Sequence, residues 1–168
     1  FLKKFDLKKY LEIPQKLKEH KVFSEKELKK LNLFMKENFS LLKRENKYFS
    51  HGDLQIGNII LFDQKVKIID LEAAKISNFA FDICFLWARL WKERRVAKEI
   101  LKNFYFLLSK NKRKKFEILF RLNSLFVGFH SFCQRPQEYD SLTAQKRKAF
   151  FLKVLRASLN SFEELKKL

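Results

Sequence analysis

The sequence predicts a predominantly helical α+β fold in a single domain, and three observations predict it. Three glycines and two prolines are the only strong interruptions in 168 residues, so few sharp turns are available and long helices are the default. Apolar residues recur at three- and four-residue steps along most of the chain, as in Leu28, Leu31, Phe34 and Met35. One stretch, from Tyr48 to Asp70, breaks that rhythm into short apolar pieces punctuated by Gly52, Gly57 and Asp63-Gln64. Hydrophobic residues make up 46% of the chain and include 20 Phe, enough apolar surface for a core, which excludes a disordered polar chain.

Taken in order, Asp6 caps a short helix that Pro14 ends, and residues 1 to 47 read as helical throughout. Ser24 and Glu27 form a capping box, in which hydroxyl and carboxylate each satisfy an orphan amide of the first turn. The amphipathic helix that follows runs to about Asn46. Ile59 to Phe62 and Val66 to Ile69 suit two strands joined over Asp63 to Lys65, the only β structure the pattern supports. Helices are predicted from about Phe81 to Lys92, from 93 to 109 and from 112 to 135, where Pro136 stops the chain. A last helix runs from near Ser141 to the end, and no repeat or linker divides the whole.

Net charge is +18, which suggests an anionic partner, yet the lysines alternate with apolar residues at helical spacing and read as a solvated face. The densest basic run, Lys110 to Lys115, falls at a helix junction and carries no interleaved aromatic platform, so nucleic acid is not the expected partner. Cys84 and Cys133 sit in apolar stretches without metal-ligand spacing and are expected as two buried, reduced thiols. Lys3, Lys4 and Asp6 interrupt any leader, and no run approaches the roughly 18 apolar residues of a membrane span, which predicts a cytoplasmic protein. His20 and His130 lack readable partners. Trp87 and Trp91, with Leu86 and Leu90, form a core stripe rather than an aromatic cage.

Chemistry concentrates in Ser50-His51-Gly52-Asp53-Leu54-Gln55-Ile56-Gly57-Asn58, followed by Ile68-Ile69-Asp70-Leu71-Glu72. Asp53 and Asn58 lie five apart in a loop that enters the first strand, and Asp70 ends the second. Adjacent strands thus bring Asn58 and Asp70 to the same end, where two hard oxygens can share a divalent cation. Asp53 remains free of that pair and able to accept a proton from an attacking hydroxyl. Singly, Asp53 reads as a turn residue, Asp70 to Glu72 as an exposed strand end and Asp82 as a helix N-cap. Their joint order and spacing favour the catalytic reading. Glu72 stays open between a partner of the site and a surface charge.

The spacing of Asp53, Asn58 and Asp70 is similar to the catalytic and metal loops of protein kinases, with His51-Gly52-Asp53 and Asp70-Leu71-Glu72 in place of their His-Arg-Asp and Asp-Phe-Gly. Those departures resemble the aminoglycoside phosphotransferase and choline kinase family from Ser50 to Glu72, and again at Phe81-Asp82-Ile83. The resemblance implies a protein-kinase-like C-terminal lobe spanning residues 1–168: a small hairpin carrying the catalytic and metal loops (48–72), packed on a helical, acceptor-binding part (78–168). It implies ATP and Mg²⁺ as cofactors, Asp53 as catalytic base, Asn58 and Asp70 as metal ligands, and His51 and Asp82 as supports of the loop.

A kinase-like enzyme also needs a β-rich nucleotide lobe with a strand Lys paired to a helix Glu. Residues 1 to 47 contain no glycine and no such strand, so that lobe is expected to lie outside these residues or on another chain. The expected activity is transfer of the γ-phosphoryl group of Mg-ATP to a small-molecule hydroxyl, and these residues alone are expected to be inactive. The basic helices after Asp82 hold few acids, which argues against a polycationic acceptor and for a sugar, amino alcohol or similar metabolite. The alternative is a non-catalytic remnant whose basic face binds nucleic acid or another anion.

Overall fold

The computed structural model describes residues 2–133 and 141–168. Its elements are β1 (Lys3–Lys4), α1 (Lys8–Leu11), α2 (Ile13–Glu19), α3 (Glu25–Glu45), β2 (Tyr48–Ser50), a 3-10 turn (Ile56–Asn58), β3 (Ile59–Phe62), β4 (Lys65–Ile68), β5 (Lys75–Ser77), α4 (Phe81–Arg89), α5 (Arg94–Leu107), α6 (Lys110–Cys133), α7 (Ser141–Asn160) and α8 (Phe162–Lys167). The chain is mostly helical with two small sheets, as the glycine-poor sequence requires.

The first helices turn on local chemistry. Asp6 Oδ1 accepts from the Lys8 amide at the entry to α1. Pro14 does not end a helix, as the sequence suggested, but sits in the first turn of α2, where its missing N–H had no intrahelical partner to lose. Past α2, Lys21 adopts the left-handed conformation. The Val22 amide reaches the Leu17 carbonyl at 3.0 Å and the Lys21 amide the Lys18 carbonyl at 3.0 Å, closing the helix as a Schellman motif. The Ser24–Glu27 capping box is formed as read, and α3 buries Leu28, Leu31, Phe34, Met35 and Leu42 along one stripe.

α6 is the central helix. It packs on α7 and α4, and Gly128 lets α7 come close: a Cβ there would stand 3.3 Å from Val154 Cγ1. Phe116 and Phe120 of α6 meet Trp87 of α4 and Phe162 of α8 in tilted and edge-on contacts. A buried polar cluster pins the start of the chain to this core. Tyr10 donates to Asn123 Oδ1, and the Asn78 and Asn123 amides exchange hydrogen bonds of 3.1 and 2.9 Å. Three buried polar side chains thereby satisfy one another, which is the condition for placing them there.

Several expectations are corrected. The hairpin β3–β4 is not the only β structure, because β1, β5 and β2 form a second sheet in that order, β1 parallel and β2 antiparallel to β5. Residues 1 to 47 are therefore not wholly helical. Lys65 belongs to β4, and the turn holds only Asp63 and Gln64, both at positive φ as a two-residue hairpin turn demands. The hairpin is not packed on the bundle along its length: Ile59, at its base, touches the core, while Leu61, Phe62 and Val66 are exposed. α4 ends at Arg89 rather than Lys92; Leu86, Trp87 and Leu90 lie in the core as expected, with Trp91 partly buried against it. The last helix breaks at Ser161, whose hydroxyl accepts from the Glu164 amide and starts α8. Cys84 is buried, but Cys133 is exposed. Pro136 lies outside the described residues, as do Glu138 and Asp140.

Candidate active site

The loop between β2 and the 3-10 turn is held from behind by one carboxylate. Asp82, in the first turn of α4, accepts from Ser50 Oγ at 2.8 Å and the Gly52 amide at 3.0 Å through Oδ1, and from the His51 amide at 2.8 Å through Oδ2. It is not the helix N-cap, a position that Ala80 takes. Three donors on one ionised acceptor make strong, directional restraints. β2 and β5 bring this loop to the start of α4, since Ser50 pairs with Lys75 in the sheet.

Gly52 is a position that only glycine fits. Its φ is +82°, and a Cβ would lie 2.1 Å from the Ala73 carbonyl oxygen. His51, itself buried, bridges loop and hairpin: its Nε2 is 2.8 Å from the Ile69 carbonyl, and the Asp53 amide approaches Nδ1 at 3.4 Å. A carbonyl can only accept and an amide N–H can only donate, so these partners assign the proton to Nε2.

Asp53 sits at the rim of this loop, partly exposed. Gln55 Nε2 donates to its Oδ2 at 3.2 Å, and Arg89 Nη2 lies 3.7 Å from its Oδ1. Asn58 is buried, and its Nδ2 donates to the Asp53 carbonyl oxygen at 2.9 Å, which fixes the amide so that its oxygen faces away from the loop backbone. The Ile69 amide donates to the Asn58 carbonyl at 3.0 Å, so Asn58 and Asp70 stand on adjoining chain segments at the base of the hairpin. Asp70 is exposed and left-handed, with φ of 64°. Glu72 is exposed as well. Among the described residues no three His, Cys, Asp or Glu side chains cluster closely enough to cage a metal on their own.

Two residues at this site escaped the sequence reading. Lys75, on β5, lies against Gly52, with its ammonium 4.9 Å from the centre of the Phe81 ring and 5.3 Å from that of Phe5. Burial pushes its pKa down, helped by Lys9, while the Asp82 and Asp53 carboxylates act against that shift. Arg89 is the other. It follows Asp82 by seven residues, two helical turns, so both face the same loop, and that spacing was the available signal.

Gln55 and Arg89, which contact Asp53, line a cavity of about 230 Å³, bounded by the loop at Gln55 to Gly57, the end of α4 at Ala88 to Trp91, Ser131 on α6, and Arg147 and Phe151 on α7. No helix among the described residues is long and apolar enough to cross a membrane. In comparisons with known proteins, the profile described as the phosphotransferase enzyme family matches residues 4–107, which hold Asp53, Asn58, Asp70 and Asp82. No curated protein and no solved structure matches the chain.

Proposed function

The chain belongs to the phosphotransferase enzyme family, and on that premise we propose that it transfers the γ-phosphoryl group of Mg-ATP to the hydroxyl of a small molecule. The observation that carries this reading is the pinned loop. Asp82 holds the His51-Gly52 backbone, and the partly exposed Asp53 carboxylate contacts Gln55 and Arg89, both of which line a cavity. A base held so firmly spends little entropy on alignment when an acceptor arrives.

In the proposed step the acceptor oxygen bonds to the γ-phosphorus, and the bond from that phosphorus to the β–γ bridging oxygen breaks, releasing ADP. The hydroxyl proton passes to Asp53. His51 and Asp82 position the loop and touch neither reactant. Asn58 and Asp70 suit Mg²⁺: one offers an amide oxygen whose orientation the Asp53 carbonyl fixes, the other an exposed carboxylate. Two hard oxygens are a partial set of the kind Mg²⁺ completes with phosphate and water. When bound, the metal supplies positive charge that offsets the charge on the phosphates.

In this reading residues 1–168 act as a kinase-like C-terminal lobe, with a nucleotide lobe contributed by other residues or another chain. Two features support that. The described residues contain no glycine-rich strand pair to cover phosphates, and the β3–β4 hairpin presents exposed apolar side chains beside Asn58 and Asp70, where such a lobe would rest. The helices from α4 onward supply the acceptor cavity. A cytoplasmic setting, with Mg-ATP at hand and both thiols free, fits this chemistry.

The test is phosphoryl transfer from γ-labelled ATP to a pool of small alcohols, by the protein together with whatever supplies its nucleotide lobe. Asp53→Ala should lower turnover by about 10²–10⁴ while Mg-ATP affinity is kept. Turnover near the wild-type rate in that variant would remove the role assigned to Asp53.

A further inference from the structure

We propose that the corner between α5 and α6 is a docking surface for an anionic lipid bilayer, with Phe106 and Leu107 entering the headgroup layer and the lysines around them binding its anionic groups. The proposal goes beyond the phosphotransfer reading and does not depend on it. Leu107 is 85% exposed, the highest value for a large apolar side chain among the described residues, and Phe106 beside it is 63% exposed. Neither belongs to the catalytic loop or to the cavity that Gln55 and Arg89 line. Residues 100 to 116 contain no acid, and they carry Lys102, Lys110, Lys112 and Lys114 as exposed cations. A cluster of about four to eight basic residues flanking exposed apolar side chains is the composition that binds anionic membrane.

The corner is held in shape before any lipid arrives. α5 ends at Leu107, and Leu108 turns back to pack against the core while Leu107 stays in solvent. Arg113, in the first turn of α6, reaches back across the junction. Its Nε donates to the Tyr105 carbonyl at 3.1 Å and its Nη2 to the Phe106 carbonyl at 3.0 Å, groups that a helix end leaves without an intrahelical partner. The same guanidinium lies 5.2 Å from the centre of the Tyr105 ring and 5.8 Å from that of Phe106. Arg113 is thus occupied with the fold, and Lys115 with Glu45, which leaves the four exposed lysines to face a partner. Of the acids nearest in the chain, Glu117 accepts from the Tyr105 hydroxyl and Glu99 lies two helical turns before Phe106. Along α5 the same pairing of chemistries continues. A cavity of about 380 Å³ there has Leu101, Tyr105 and Phe106 in its lining together with Lys102 and Lys166.

A bilayer fits this surface better than other anionic partners do. Nucleic acid would leave Leu107 unused, because bases stack on aromatic rings and the run from Lys110 to Lys115 contains none. A second copy of the chain would bring a net charge of +18 against its equal. A membrane surface takes an aliphatic tip and a ring of cations together, and it needs no spanning helix, which no described helix could supply.

Co-sedimentation of the full chain with vesicles tests this: phosphatidylcholine alone against phosphatidylcholine with about 30% phosphatidylserine, at about 150 mM NaCl. The phosphatidylserine vesicles should bind the chain roughly tenfold or more tighter, and about 500 mM NaCl should weaken that binding. Phe106→Ser combined with Leu107→Ser should lower the affinity roughly tenfold, as should Lys110→Gln, Lys112→Gln and Lys114→Gln together. All five side chains are exposed, so the variants should fold. Leu107→Trp gives a second readout, since its emission should shift to the blue with phosphatidylserine vesicles only. Lys26→Gln, Lys29→Gln and Lys36→Gln remove the same charge from exposed positions on α3 and should change affinity by less than about twofold. Equal binding to both vesicles, or to neither, overturns the proposal. So does full binding by the Phe106 and Leu107 variant, or a loss in the α3 variant as large as that in the corner variant. Binding of single-stranded RNA through the three corner lysines, without binding to vesicles, overturns it as well.

Discussion

Gly52 concentrates the constraints on the loop. Its backbone is left-handed, and the Ala73 carbonyl occupies the space a Cβ would need. Gly52→Ala should therefore destabilise the fold by about 2–4 kcal/mol, from strain at positive φ plus a clash with immovable backbone. Gly57→Ala, where a Cβ meets nothing within 4 Å, should stay within about 0.5 kcal/mol of wild type. Urea unfolding of the pair checks both, and equal effects would mean the loop is looser than its contacts indicate. Asp82→Ala removes the acceptor for Ser50 Oγ and two amides and should cost on the order of 3 kcal/mol by the same measurement. His51, Gly52, Asp53 and Asn58 were legible in the sequence because their spacing is local, and a loop of nine residues can be read as a unit. Lys75 was not, since its contact with Gly52 exists only once β5 has paired with β2. Arg89 was hidden for a similar reason: an exposed arginine on a helix reads as surface until the facing loop is known.

Among the elements, α3 and α6 are joined where both carry charge. The Glu45 side chain at the end of α3 is only 3% exposed and lies 2.9 Å from the Lys115 ammonium. Lys115 follows a first turn that carries Lys110, Lys112 and Arg113, the wrong sign for a helix N-terminus. Burial raises the Glu45 pKa, but the Lys115 hydrogen bond and charge, with Lys47 and Arg44, outweigh it and leave the carboxyl below its usual value near 4.5. A folded-state pKa below the unfolded one adds stability above the unfolded value, and that stability is lost as pH falls through the folded value. Glu45→Gln should thus cost about 1 kcal/mol at neutral pH, a modest figure because Lys115 is half exposed. The difference between variant and wild type should vanish well below pH 4.5; a difference that holds unchanged into acid would refute the ion-pair account. Helices such as α3 were legible because a capping box and a long apolar stripe coincide. The sheet β1–β5–β2 was not, because strands of two or three residues are too short to show any period, and two of them begin with lysine.

On the scale of the whole molecule, a net charge of +18 on 168 residues opposes compaction. Six ion pairs join described residues, too few to answer an excess of that size. Raising NaCl from about 10 mM to about 500 mM should therefore increase Tm, on the order of 3 °C. A fall would mean that local pairs dominate over general repulsion. The same charge makes weak nucleotide adsorption expected anywhere on the surface, so affinity for ATP alone decides nothing about the site. The deciding measurement is thermal unfolding of the chain, together with whatever supplies its nucleotide lobe, with millimolar ATP, with and without Mg²⁺, beside Asp70→Ala. Ligand bound to the native state raises stability by RT ln(1 + [L]/Kd), and the site at Asn58 and Asp70 predicts a rise that needs Mg²⁺ and disappears in Asp70→Ala. A shift that is indifferent to Mg²⁺, one that survives in Asp70→Ala, or no shift in any condition would contradict it.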